Sequence, residues 1–173
     1  RFAIKKKILL INSVSISEIK EINRIAKLKR KKVQVGIRLN PNTDAKTLSQ
    51  ISTGKKENKF GVNEKTFLEL VNYCQNSKNI NLECLSVHIG SQILDHKPYE
   101  KMLNVVDKLI DKTKHKFKYI DLGGGMGISY DNNSKKLNYS KYNIAIKKFF
   151  IYYNCFDNCF FSNYWRNIKN LYA

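Results

Sequence analysis

Between residues 33 and 39, Val33, Val35, Ile37 and Leu39 alternate with Gln34, Gly36 and Arg38. A period of two predicts a β-strand with one apolar and one mixed face. The segment before it has a different period. Ser15 and Glu18 fit a capping box, and Ile19, Ile22 and Ala26, widened by Ile25 and Leu28, follow helical spacing up to the basic cluster at 29–32. Further along, Asn63 caps a second stripe of Phe67, Leu70, Val71 and Cys74. Pro98 opens a third, running from Tyr99 through Met102, Leu103, Val106, Leu109 and Ile110. Short apolar runs at 8–14, 82–89 and 119–122 read as strands. The order is therefore strand, helix, strand, helix, strand, helix, strand. Repeated βα units imply an α/β fold with parallel strands and right-handed crossovers. From this pattern alone, an open doubly wound sheet and part of a barrel fit equally well.

Length narrows the choice. The chain has 173 residues, whereas a closed (β/α)8 barrel needs about 250. It does not begin with Met, and a fragment is expected. The net charge is +18, from 32 Lys plus Arg against 14 Asp plus Glu. Dense lysine favours phosphate backbones, but here it is scattered from Lys5 to Lys169 without a stripe, and Arg is scarce. No nucleic-acid partner is expected, and a basic nucleic-acid-binding domain stands as the least favoured alternative. No apolar run is long enough to span a bilayer, so no membrane partner is expected. Cys74, Cys84, Cys155 and Cys159 match no zinc or haem spacing. No metal is expected, and without a secretory signal the expected compartment is the cytoplasm, with reduced thiols.

Residues 149–173 differ in kind. They hold ten aromatic residues and only three charged ones, Asp157, Arg166 and Lys169, with no clean period. The domain reading is accordingly a barrel-type unit at 1–148 and an atypical aromatic tail at 149–173, out of frame or disordered.

Three loops after strand ends carry chemistry, and in parallel α/β folds ligands bind at those ends. One contains Gly123, Gly124, Gly125 and Gly127. Such a loop frees backbone N–H groups to wrap a phosphate. It lacks a usable Gly-x-Gly-x-x-Gly register and a Gly-Lys-Ser/Thr, which excludes a nucleotide P-loop. Another contains His88, Gly90 and Ser91. The hydroxyl of Ser91 suits a phosphate, and an imidazole can stack on a flat heteroaromatic ring. Phosphate plus flat ring points to pyridoxal 5′-phosphate.

Five motifs then stand in order: Gly-Ile-Arg-Leu-Asn-Pro-Asn-Thr-Asp-Ala at 36–45, Ile-Ser-Thr-Gly at 51–54, Glu-Asn-Lys-Phe-Gly at 57–61, Val-His-Ile-Gly-Ser-Gln-Ile at 87–93 and Ile-Asp-Leu-Gly-Gly-Gly-Met-Gly-Ile at 120–128. Over about residues 3–145 the chain resembles the alanine-racemase-like, pyridoxal-phosphate-dependent decarboxylases, and within them the branch acting on diaminopimelate. The ornithine and arginine branches share the His-x-Gly-Ser and triple-glycine signals and remain an alternative, as does a non-catalytic phosphate-binding module of this fold. The resemblance implies a partial (β/α)8 barrel of the middle to later units, a homodimer, an amino-acid substrate and conversion of meso-2,6-diaminopimelate to L-lysine and carbon dioxide. It implies that His88 stacks on the cofactor ring, that Ser91 and Gly123, Gly124, Gly125 and Gly127 hold its phosphate, and that Arg38 supports it from the inner wall.

The departures matter as much. The family's cofactor-bearing lysine stands in a Lys-Ala-Asn context on the first barrel strand. Lys5 imitates it superficially but is followed by Lys6 and Lys7, and it fits the end of a helix before the strand at 8–11. The Glu-Pro-Gly-Arg loop that should come after 147–150 is replaced by the aromatic tail. No residue is therefore carried over as catalytic. The chain alone is expected to lack decarboxylase activity.

Overall fold

The structure is a computed structural model and describes residues 1–6, 8–44, 60–129 and 136–153. The motif at 51–54, residues 57–59 of the next motif and the tail beyond 153, with Cys155 and Cys159, lie outside the described residues.

A short helix α1 (Phe2–Lys6) leads into β1 (Ile11–Ser13), α2 (Ile16–Leu28), β2 (Val33–Leu39), α3 (Glu64–Gln75), β3 (Ile80–Val87), α4 (Lys97–Thr113), β4 (Tyr119–Asp121) and α5 (Tyr139–Tyr153). Both expected caps form. Ser15 Oγ accepts the Glu18 amide at 3.2 Å, and Asn63 Oδ1 accepts the Thr66 amide at 2.9 Å. The Glu18 carboxylate reaches back to the Val14 amide (2.7 Å) and the Ser13 hydroxyl (3.0 Å). The first strand is shorter than its apolar run at 8–14. Among the described residues it is an edge, paired with β2 over three registered pairs, and Ile8 and Leu9 remain exposed.

The four strands form one parallel sheet in the order β1-β2-β3-β4. A doubly wound sheet reverses its strand order at a switch point. Here each unit advances one strand in the same direction, as in the wall of a (β/α) barrel. The helices make one layer, with α2 against α3, α3 against α4 and α4 against α5. Val33, Val35, Ile37 and Leu39 of β2, with Ile80, Leu82, Leu85 and Val87 of β3, belong to the apolar core beneath those helices. The alternate positions face the other way and are polar or small.

A register shift interrupts this alternation. Val35 pairs with Leu82 but Gly36 pairs with Cys84, so Glu83 is an extra residue in β3. Its Oε1 accepts from Gln34 Nε2 at 3.2 Å and Asn81 Nδ2 at 2.7 Å, and its carbonyl accepts the Lys118 amide at 2.9 Å. Beyond the bulge the two faces of β3 are exchanged. Cys84 and Ser86 turn to the inner face, and the next position in step is His88.

Helix α5 runs unbroken across the expected boundary at 148. Phe149 is buried in the core with Tyr142 and Ile146, at spacings of seven and three residues along one helical face.

Candidate functional site

The site lies where β2, β3 and β4 end. β2 contributes Arg38 from its inner face. Its guanidinium carbon stands 5.4 Å from the ring centre of Phe60, within cation–π range. Phe60 reaches that place because residues 60–62 return to the strand end: the Val62 amide donates to the Arg38 carbonyl at 2.9 Å, and the Asn40 amide donates to the Val62 carbonyl at 2.8 Å. Gly61 makes the bend at φ +85°.

β3 delivers His88 and the loop through Ser91. β4 delivers Asp121 and the glycine loop. The two loops are stitched together. The Ile93 amide donates to the Gly125 carbonyl (2.9 Å), the Gly127 amide to the Ile93 carbonyl (3.0 Å), and the Ile128 amide to Gln92 Oε1 (3.1 Å). Asp121 Oδ1 accepts the Gly123 amide at 2.8 Å, and His88 Nδ1 faces the Gly124 amide at 3.4 Å.

The glycines have different reasons for being glycine. A Cβ at 123 would lie 2.6 Å from the Val87 carbonyl oxygen and 2.7 Å from His88 Nδ1, at φ +68°. A Cβ at 125 would overlap the Gly90 carbonyl oxygen, at φ +82°, and one at 127 would meet Leu94 Cδ2 at 2.6 Å. A Cβ at 124 would meet nothing within 4 Å. Close packing of the loops thus requires three of them, while Gly124 borders open space.

Of the loop's amides, those of Gly123, Gly124 and Gly127 already have partners. Among the described residues the Gly125 amide has no acceptor, and the exposed Ser91 hydroxyl has none either. The two residues are neighbours: the Ser91 Cα is 3.4 Å from where a Gly125 Cβ would sit. Two such donors beside open space can hold an anion, as a cradle.

The electrostatics agree. Burial is the main cause that lowers the His88 pKa from its ordinary value; the Arg38 charge adds to it and Asp121 opposes it. The ring is held neutral beside the cradle. Burial likewise lowers the Arg38 pKa, against Asp121. Burial pushes Cys84, behind the site, up to about 12, with Asp121 adding to the rise.

Sequence reasoning placed His88, Ser91, Arg38 and the four glycines in this region, and the fold brings them together. It missed Asp121, Phe60 and Tyr99. Asp121 and Phe60 stood inside recognised motifs without a role. Tyr99 stood in a helical stripe that gave no sign of its hydroxyl's use. Lys5 sits on α1, exposed, and none of the four strands contains a lysine.

The chain as a whole is similar to known proteins. The model of the pyridoxal-dependent decarboxylase family, pyridoxal binding domain, matches residues 1–154. Diaminopimelate decarboxylase of Helicobacter pylori is 42% identical over 134 residues, which are 75% of this chain and 33% of that protein. The enzyme of the same name from Campylobacter jejuni is 39% identical over 136 residues, 77% of this chain and 34% of that protein. The crystal structure of the H. pylori enzyme complexed with L-lysine superimposes with a TM-score of 0.79 at 39% identity, covering 85% of this chain and 38% of that one. The M. jannaschii enzyme in co-complex with L-lysine gives 0.74 at 29% identity, covering 91% and 37%. The chain spans about a third of the length of the curated relatives it matches.

Proposed function

Because the chain belongs to the pyridoxal-dependent decarboxylase family, along whose pyridoxal-binding domain it matches, we propose that it forms the phosphate-binding wall of a diaminopimelate decarboxylase. The reaction of the whole protein is removal of one carboxylate of meso-2,6-diaminopimelate as carbon dioxide, with a proton taking its place to give L-lysine. The observation that carries this reading is the cradle itself: the unpartnered Gly125 amide and Ser91 hydroxyl beside the open flank of Gly124. Its donors and its lack of a side chain fit a phosphate monoester.

His88 is held neutral and half-buried at the cradle's edge, a state suited to lying flat against a pyridine ring. Arg38, steadied by Phe60 and Asp121, supplies positive charge on the inner wall. Pyridoxal 5′-phosphate, when bound, supplies the electron sink that lets carboxylate leave. The lysine that holds it covalently has to come from a strand other than β1–β4. We therefore assign residues 1–173 a binding role and expect no turnover from them alone. The homodimer and cytoplasmic location belong to the same reading of the whole protein.

The test uses pyridoxine 5′-phosphate, which lacks the aldehyde that would condense with the many surface lysines. Equilibrium dialysis is expected to show it binding at least about tenfold more tightly than pyridoxine, since charge-assisted hydrogen bonds to phosphate are worth about 1.5–3 kcal/mol. Ser91→Ala is expected to narrow that ratio. Equal affinity for the two ligands overturns the reading. Carbon dioxide release from meso-2,6-diaminopimelate by residues 1–173 alone overturns the assigned division of labour.

A further inference from the structure

Tyr99 is 1% exposed, among the most deeply buried large side chains of the protein. Its ring packs edge-on against Tyr142 of α5, with centroids 4.8 Å apart and planes at 77°. Its hydroxyl leaves this aromatic pair and donates to the Gly124 carbonyl at 3.2 Å. Burying a phenol needs such a partner, but a carbonyl elsewhere in the fold would serve equally well. The chosen one belongs to the peptide that carries the cradle's free amide.

A trans peptide is planar, and its C=O and N–H point in opposite directions. Among the described residues no peptide bond is cis. With the Gly124 carbonyl drawn toward Tyr99 of α4, the Gly125 N–H is turned the other way, away from that hydroxyl. The remaining polar groups of the loop do not fix this peptide from the ligand side. Asp121 holds Gly123, and Ile93 holds the Gly125 carbonyl and the Gly127 amide. Glycines on both sides ease rotation of the peptide, and the flank where a Gly124 side chain would stand is open. The hydroxyl is the contact that opposes that rotation.

We propose that Tyr99 is a positioning residue for phosphate binding: by holding the Gly124 carbonyl, it presents the Gly125 amide to the ligand's phosphate. This rests on the reading of the site as a phosphate cradle and adds a specific residue from outside both loops.

The test compares the intact protein containing residues 1–173 with its Tyr99→Phe variant, which keeps the ring and its contact with Tyr142. The readout is the ratio of affinities for pyridoxine 5′-phosphate and pyridoxine. Loss of the hydroxyl is expected to weaken the phosphate ligand about five- to tenfold, the worth of one hydrogen bond of about 1 kcal/mol or slightly more. Pyridoxine affinity is expected to stay the same, and Tyr142→Phe is expected to leave the ratio unchanged. An equal loss for both ligands in Tyr99→Phe makes the role merely structural and overturns the proposal. An unchanged ratio in Tyr99→Phe, with the wild type still preferring the phosphate ligand, overturns it while sparing the cradle. A wild type without that preference overturns the cradle itself, and this proposal with it. A second measurement does not depend on the variant folding: adding inorganic phosphate to the wild type is expected to shift the Gly125 amide resonance. A stationary Gly125 signal with others in the loop moving contradicts the proposal.

Discussion

Gly125 lies against the Gly90 carbonyl oxygen with no room for a side chain between them. That contact joins the loop after β4 to the loop after β3 and gives the site its shape. Gly125→Ala forces a side chain into the left-handed region and into backbone. It is expected to destabilise the fold by about 1–3 kcal/mol and to abolish the preference for a phosphate ligand. Gly124→Ala, meeting nothing within 4 Å, is expected to change stability little. Its methyl group occupies the open flank, so phosphate affinity should fall. Chemical denaturation and equilibrium dialysis on the two variants separate these effects. Matching stability losses would contradict the assignment.

His88 should report the charges around it. Arg38 lowers its pKa and Asp121 raises it, while burial lowers it most. The imidazole resonances of Arg38→Met are therefore expected to titrate at higher pH than in the wild type. Those of Asp121→Asn, which keeps an oxygen for the Gly123 amide, should titrate lower. Shifts of the opposite signs would refute the arrangement.

The same histidine makes stability depend on pH. Its folded-state pKa lies below the ordinary 6.5, so the unfolded chain binds more protons in the interval between them. Stability then rises with pH through that interval and is lost as pH falls below 6.5. Thermal midpoints of the wild type are expected to fall more steeply than those of His88→Gln between pH 7 and pH 5. Parallel profiles would show that His88 contributes nothing to the slope.

Ser15 and Asn63 each satisfy an amide in a helix's first turn, at 3.2 and 2.9 Å. Replacing either with Ala is expected to cost about 1 kcal/mol, read as a lower urea midpoint at constant slope. The sites lie on different helices and the losses should add.

Burial raises the thiols of Cys74 and Cys84 to about 12. At pH 8 neither forms appreciable thiolate, the reactive species. Peptide mapping after iodoacetamide treatment should find both unmodified in the folded protein and both alkylated in urea. Modification of either under native conditions would contradict its burial.

Much of the site was legible in the residue pattern because it rests on local chemistry. Three successive glycines and a histidine and a serine at strand ends stand out by residue type and by their place after a strand, and the caps at Ser15 and Asn63 act on amides three residues away. Glu83 was not legible. Pattern places it within an apolar run, but as the bulge in β3 it reverses the faces of Cys84, Ser86 and His88. A strand's faces depend on register with its neighbour, which no single strand encodes. Helix α5 likewise rests on distant contacts. Phe149 and Tyr142 have α4 to pack against only once the chain has folded.

By itself the sequence determined the order of strands and helices from β1 to β4 and the caps of α2 and α3, because periodicity and turn chemistry are local. Only the tertiary structure decided between an open doubly wound sheet and a barrel wall, since that depends on each crossover landing beside the last strand. Only it showed Gly127 donating to Ile93 rather than outward, and only it joined Tyr99 to Gly124. Those are contacts between segments far apart in the chain, fixed by how helices and loops pack rather than by any local pattern.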